Sequence, residues 1–193
     1  MTALIHFDLD DDATLGGDEG GIFAETRAMA EAARLDSAGR PAAEALAPIA
    51  ALDDASDAYR RFVSTSDTFI YPDKIWRFQP ATPAVIRLAL QRAQAEARAR
   101  DDESELITLA TLYAAHGFED EGRRLIRRAR LQRQAIGFWI EVGDFAAAER
   151  AIRARGDPPN PMALFNAAGA AIEAGDSGFA TRVALEVLDT MVR

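Results

Sequence analysis

Leu109-Ala110-Thr111-Leu112-Tyr113-Ala114-Ala115-His116-Gly117-Phe118-Glu119-Asp120-Glu121-Gly122-Arg123-Arg124-Leu125-Ile126-Arg127-Arg128-Ala129 is the stretch that decides the fold. Leu109, Tyr113, Gly117, Phe118, Gly122, Ile126 and Ala129 spell an apolar helix, a glycine, a short turn and a second helix with a small residue five positions after the glycine. A glycine at a helix end takes the left-handed conformation that reverses the chain. The small residue then lets the two backbones approach, and a helical hairpin results. Two later segments repeat the pattern. One carries Ile136, Trp139, Gly143, Phe145, Ala148 and Ile152, the other Leu164, Ala168, Ala171, Gly175, Phe179, Ala180 and Ala184. Each pair has apolar residues on more than one side, so it cannot bury them alone and must stack on its neighbours.

The pattern resembles the tetratricopeptide repeat, in which a small residue, an aromatic, a glycine and then an alanine stand at these relative positions. Ala110, Tyr113, Gly117, Gly122, Ile126 and Ala129 match it best. The departures are specific: the three glycines are 26 and 32 residues apart where the family has about 34, Gly122 replaces the usual alanine, and Ala171 replaces the aromatic. The resemblance covers residues 104–193 and implies an all-α, α-solenoid-like arrangement of stacked antiparallel hairpins; a generic α-hairpin domain is the other reading of the same residues. By family geometry a concave groove would be lined from the first helix of each pair by Thr111, Ala114, Arg130, Arg133, Ile140, Glu141, Phe165 and Glu173. Such grooves hold a peptide or a partner helix. The resemblance implies adaptor, scaffold or chaperone work and no reaction.

Upstream, residues 23–103 read as a further helical region. Phe23, Ala30, Ala33 and Leu35, among Glu25, Arg27, Glu31 and Arg34, predict a helix from Ile22 to about Asp36, punctuated by Gly39 and Pro41. Leu46, Ile49 and Leu52 predict a second helix that Pro48 bends or shortens. Ser56 is placed to cap a third, carrying Tyr59, Phe62 and Val63. Residues 64–83 then read as a long connection in which Phe69, Tyr71, Trp76 and Phe78 either pack beneath the helices or form a contact surface. Thr82 and Pro83 start a helix that runs to about Arg100. In total, about eight or nine helices are expected.

Composition agrees. Alanine fills roughly a fifth of the positions, far above average usage, and has the best intrinsic helix propensity. With 193 residues and 49% hydrophobic content, the chain has enough apolar surface for a core. The net charge of −9 repels polyanions, which disfavours nucleic acid and anionic membrane as partners. No cysteine occurs, which removes disulfides, thiolate nucleophiles and Cys-ligated zinc. Neither a signal peptide nor a transmembrane run is read, and the expectation is a cytoplasmic protein, bacterial if the Arg and Ala bias is a guide.

Charge is also segregated. Residues 1–22 hold Asp8, Asp10, Asp11, Asp12, Asp18 and Glu19 with no Lys or Arg and read as a flexible acidic tail. Arg123, Arg124, Arg127, Arg128, Arg130 and Arg133 crowd one short stretch, either to attract that tail or simply as a solvated helix face. The last helix carries Val183, Leu185, Val187, Leu188, Met191 and Val192, too wide an apolar set for a polar end-cap. It calls for cover by the N-terminal helices, by a second copy in a homo-oligomer, or by another protein.

Two motifs carry possible chemistry. Asp8, Asp10, Asp12, Leu15 and Glu19 follow calcium-loop spacing, but Ala13 occupies the position where a glycine makes the sharp turn. Ile5-His6-Phe7-Asp8-Leu9-Asp10 is similar to the first motif of haloacid-dehalogenase-type, magnesium-dependent phosphatases, a resemblance that would make Asp8 the nucleophile and Asp10 the general acid. That fold needs alternating strands and helices around a parallel sheet, and the sequence shows no such alternation. No catalytic residue or cofactor is therefore assigned.

Overall fold

The computed structural model describes residues 20–64, 69–71, 74–76 and 82–192. The acidic segment, and with it Asp8, Asp10, Asp12 and Glu19 as metal or phosphatase candidates, lies outside the described residues. Twelve helices and one short β-ribbon are present among those described. The N-terminal part comprises α1 (Gly20–Ser37), α2 (Ala42–Ala45), α3 (Ala47–Ala50), α4 (Ala55–Val63), β1 (Phe69–Tyr71), β2 (Lys74–Trp76) and α5 (Pro83–Ala99). Then come α6 (Glu103–Ala115), α7 (Glu119–Leu125), α8 (Ala129–Gln134), α9 (Ile136–Glu141), α10 (Phe145–Arg153), α11 (Pro161–Glu173) and α12 (Ser177–Val192). The architecture is all-α, with sequential helices packed on one another. No helix among the described residues is long and apolar enough to cross a membrane.

One turn does most of the chain reversal. Gly39, Asp101, Gly117, Gly143 and Gly175 all have positive φ, from 52° to 85°. At each, the next residue's N–H reaches back across the turn: Arg40 to the Leu35 carbonyl at 3.0 Å, Asp102 to Ala97 at 2.9 Å, and Phe118 to Tyr113 at 2.7 Å. The later two are Asp144 to Trp139 at 2.9 Å and Asp176 to Ala171 at 2.8 Å. These bonds satisfy carbonyls that the helix end would leave unpaired. Three of the five residues after the turn are aspartates that then cap the next helix, accepting from the backbone N–H of Glu105, Ala147 and Phe179 at 2.9–3.0 Å. Phe118 has no such oxygen and packs instead, edge-on to Tyr113 and beneath the Arg87 guanidinium.

The structure corrects several expectations. Helices number twelve among the described residues because Pro48 divides α2 from α3 and the chain unwinds briefly around Ile126–Arg128 and again at Ala135. Ser56 does not cap α4: Asp54 precedes the helix, and Ser56 is buried within its first turn, accepting from Arg100 at 3.3 Å. The most deeply buried residues of α1 are Ala28, Met29 and Ala32; of the expected set, Ala33 and Leu35 are partly buried against the same core, and the helix ends on a buried carboxylate. That group, Asp36, accepts from the Thr82 backbone N–H at 3.0 Å and hydroxyl at 2.7 Å, joining the end of α1 to the start of α5. The connection before α5 is not wholly irregular, since Phe69 pairs with Trp76 and Tyr71 with Lys74 in an antiparallel ribbon.

Packing forms two clusters. The first runs from Ala28 to Phe138 and so includes the α6–α7 hairpin together with α1 to α5. The second is built on Phe145, Ile152, Leu164, Ala167, Ala168, Ala171, Ala180, Val183 and Val187. Helix α9 belongs to both: Phe138, Trp139 and the C-cap residue Val142 pack in the first cluster while Ile136 and Ile140 pack on the second.

Candidate functional site

The last hairpin buries small residues and exposes large ones. Asn160 caps α11 by accepting from the N–H groups of Met162 and Ala163 at 2.9 and 3.2 Å, with Pro161 at the first helical position. Leu164, Ala167, Ala168 and Ala171 follow at helical spacing and are buried; on α12 the buried set is Ala180, Val183 and Val187. A second sector of each helix is held toward α10 and the second cluster. On α11 it is Ala163 and Ala170. On α12 it is Arg182 and Glu186, which enter an ion-pair network with α10.

That network is centred on Glu149. Arg182 reaches both its oxygens, at 3.0 and 2.6 Å, while Arg153 donates to Oε1 at 3.0 and 2.7 Å and also to Glu186 at 2.6 Å. The Glu149 side chain is only 13% exposed. Hydrogen bonding from Arg182, then from Arg153, holds its carboxyl down to about 2 against the opposing effect of burial. The bidentate pair fixes α12 on α10 in one orientation.

The third sector of each helix is free. Met162, Phe165 and Ile172 on α11 and Leu185 and Leu188 on α12 keep 58–66% of their surface in water. The two helices run antiparallel and their sectors follow in the same angular order, so both free sectors open on the same side of the hairpin, away from α10. Met162 and Leu188 each lie thirteen residues from Gly175, and Phe165 and Leu185 each ten, which sets these pairs level across the hairpin. Five large apolar side chains therefore form one face that no described residue covers. Faces of this kind mark contact sites.

The residues expected to line a groove have separate fates. Thr111 is half-buried, donates to the Ile107 carbonyl at 3.2 Å, and lies next to the Gly137 backbone of α9. Ala114 packs on the first cluster and Ile140 on the second. Arg130 pairs with Glu103 at 3.0 Å. Arg133, Glu141 and Glu173 are exposed. Phe165 alone joins the apolar face, with Glu173 exposed near the end of the same helix. Met162 and Ile172 were not singled out from sequence; the signal was a second apolar stripe on α11, running through Gly169 and separate from the Leu164–Ala171 stripe. On the last helix, Val183 and Val187 are covered internally and Leu185 and Leu188 are not.

Among the described residues, no group of three or more His, Asp or Glu side chains is placed to hold a metal ion. The only strands described are β1 and β2, an antiparallel pair; the parallel sheet implied by the phosphatase resemblance is not among them. No family model matches the chain, and no curated protein or solved structure matches it.

Proposed function

We propose that this chain is a protein-recognition module built from tetratricopeptide-like hairpins, an adaptor, scaffold or chaperone-like protein that takes up a helix of another protein. The observation that carries this reading is the uncovered face of Met162, Phe165, Ile172, Leu185 and Leu188. In a helical repeat that face is where a following hairpin would pack. An amphipathic helix with apolar residues at i, i+3, i+4 and i+7 fits the shallow groove between two antiparallel helices.

Paired substitution Phe165→Asp with Leu185→Asp tests it. Both side chains are more than half exposed, so the pair should cost no more than about 2–3 kcal/mol, which urea unfolding of the variant checks alongside the capture. Quantitative affinity capture with the full chain should lose its bound partner in the variant. A partner retained equally by both proteins removes this face from consideration. Light scattering over a range of concentrations distinguishes the homo-oligomer: a dimer that the double variant abolishes would make the second copy the occupant.

A further inference from the structure

The hairpin whose outer face is uncovered reverses through an acidic turn. Glu173, the last residue of α11, and Asp176, directly after Gly175, are both exposed. Asp176 accepts from the Phe179 N–H, and Glu173 has no ion-pair or hydrogen-bond partner among the described residues. The preceding turn lies alongside, because Phe145 and Phe179, each in the first turn of the helix that follows its glycine, meet with ring centroids 5.6 Å apart. That turn brings the exposed Glu141 and the capping Asp144. Residues 141–145 and 172–181 include no Lys or Arg. The next cation along α12, Arg182, is held by Glu149.

Glu173 belongs to the apolar face as well as to the turn. Met162, Asn166, Gly169 and Glu173 recur at i, i+4, i+7 and i+11, which makes them one row of α11. The row runs beside Phe165 and Ile172 and ends on the carboxylate. Met162 and Ile172 are ten residues apart, about 15 Å along the axis. An amphipathic helix laid along the face therefore brings one end over the Gly175 turn.

We propose, resting on the recognition reading above, that the helix taken up by this face is basic, with Lys or Arg beside its apolar stripe at the end that lies over the Gly175 turn. Apolar contact is indifferent to charge, so discrimination falls to the turn edge. There a cationic helix is attracted by Glu173, Asp176 and the neighbouring Glu141 and Asp144, and an acidic helix is repelled. The same field disfavours the other occupants: a second copy carries the same net charge of −9, and anionic lipid is likewise negative.

Two synthetic amphipathic peptides of about 18 residues test this. Both carry leucine at i, i+3, i+4 and i+7, and they differ only in the flanking positions, Lys in one and Glu in the other. Fluorescence anisotropy with the full chain in about 0.1 M NaCl should show the Lys peptide bound at least about tenfold more tightly; in about 1 M NaCl, where the Debye length falls to about 3 Å, most of that preference should vanish. Glu173→Lys places a cation at a helix C-terminus, which suits the dipole and keeps the fold. It should weaken the Lys peptide about fivefold and tighten the Glu peptide. The Phe165→Asp, Leu185→Asp variant is more negative than the parent, yet it should lose the Lys peptide; binding that persists there is general attraction to an acidic protein and overturns the proposal. A Glu peptide bound as tightly as the Lys peptide overturns it while leaving the recognition reading intact. If neither peptide binds, that reading falls and this inference falls with it. A dimer in light scattering that the double variant abolishes puts a second copy on the face and overturns the proposal as well.

Discussion

Replacing Gly122 with alanine separates two effects of opposite sign. Gly122 lies inside α7, where alanine is intrinsically better by about 1 kcal/mol, so helix propensity alone predicts a more stable protein. The packing predicts the reverse. A Cβ at this position would sit 2.7 Å from the Ala110 carbonyl oxygen of α6 and 2.7 Å from Phe138 Cε2. Neither neighbour yields easily: one is backbone, and the Phe138 ring is fully buried. Reaching ordinary contact requires α7 to withdraw by on the order of 0.7 Å. Such overpacking costs about 1–3 kcal/mol. Set against the propensity gain, the net expectation is a loss of about 1 kcal/mol, up to roughly 2.

Gly169 provides the matched control. It too lies inside a helix, and nothing stands within 4 Å of its missing Cβ, so Gly169→Ala should be stabilising by up to about 1 kcal/mol. Thermal unfolding reads both, at about 2–4 °C per kcal/mol for a chain of this size. Gly122→Ala should melt lower than the parent and Gly169→Ala higher. If Gly122→Ala melts higher, the close approach of α6 and α7 is wrong, and with it the packing of the first hairpin.

Two further substitutions follow. Asp101 is the non-glycine member of the five reversing turns, at φ 52°, so Asp101→Gly should raise stability by about 0.5 kcal/mol as relief of β-carbon crowding outweighs the added entropy of the unfolded chain; a lower urea midpoint would refute this. For Glu149, whose carboxyl is held at about 2 against an ordinary 4.5, the contribution is fully present above pH 4.5 and is lost as pH falls toward 2. Its arginine partners are 38–54% exposed, so screening reduces that contribution to about 1 kcal/mol. Glu149→Gln should lose that amount at neutral pH and none near pH 2. Glu25 and Glu105, both raised by burial, act with the opposite sign in both proteins, so the difference between the two urea-midpoint curves isolates Glu149.

The reversing turns were legible in sequence where glycine marked them. Gly117, Gly143 and Gly175 each sit after an apolar helical run, and that local chemistry does not depend on the rest of the molecule. Asp101 makes the same turn without the glycine signal, so the sequence marks only the end of a helix near Arg100 and not the hairpin between α5 and α6. Helix faces were less legible. In α1 the abundance of alanine makes several angular positions equally apolar, and Asp36, a charged residue on the buried side, masks the true one. The division of α11 into inner and outer stripes was legible only at Phe165, placed on a partner-facing surface by the repeat resemblance; its inner face is made largely of alanines, so side-chain size alone does not mark Met162 and Ile172 as the outer ones.

That inversion bears on function. Helices that meet through alanine approach closely but bury little apolar area per residue, so the α11–α12 hairpin depends on Leu164, Val183, Val187 and the Phe145–Phe179 contact, together with the Glu149 network. Completing the burial of each outer side chain, now more than half exposed, contributes roughly 1 kcal/mol. Five such gains are comparable with the lower end of the cost of bringing two molecules together. If this face takes up a partner helix as proposed above, apolar contact alone would give weak, reversible capture, and tight binding would need further polar contacts, for which the exposed Asn166 and Glu173 of the same helix are available. Because α12 is fastened to α10 through Glu149, loosening that carboxylate by acid or by Glu149→Gln should weaken binding at the outer face without altering a residue that touches the partner.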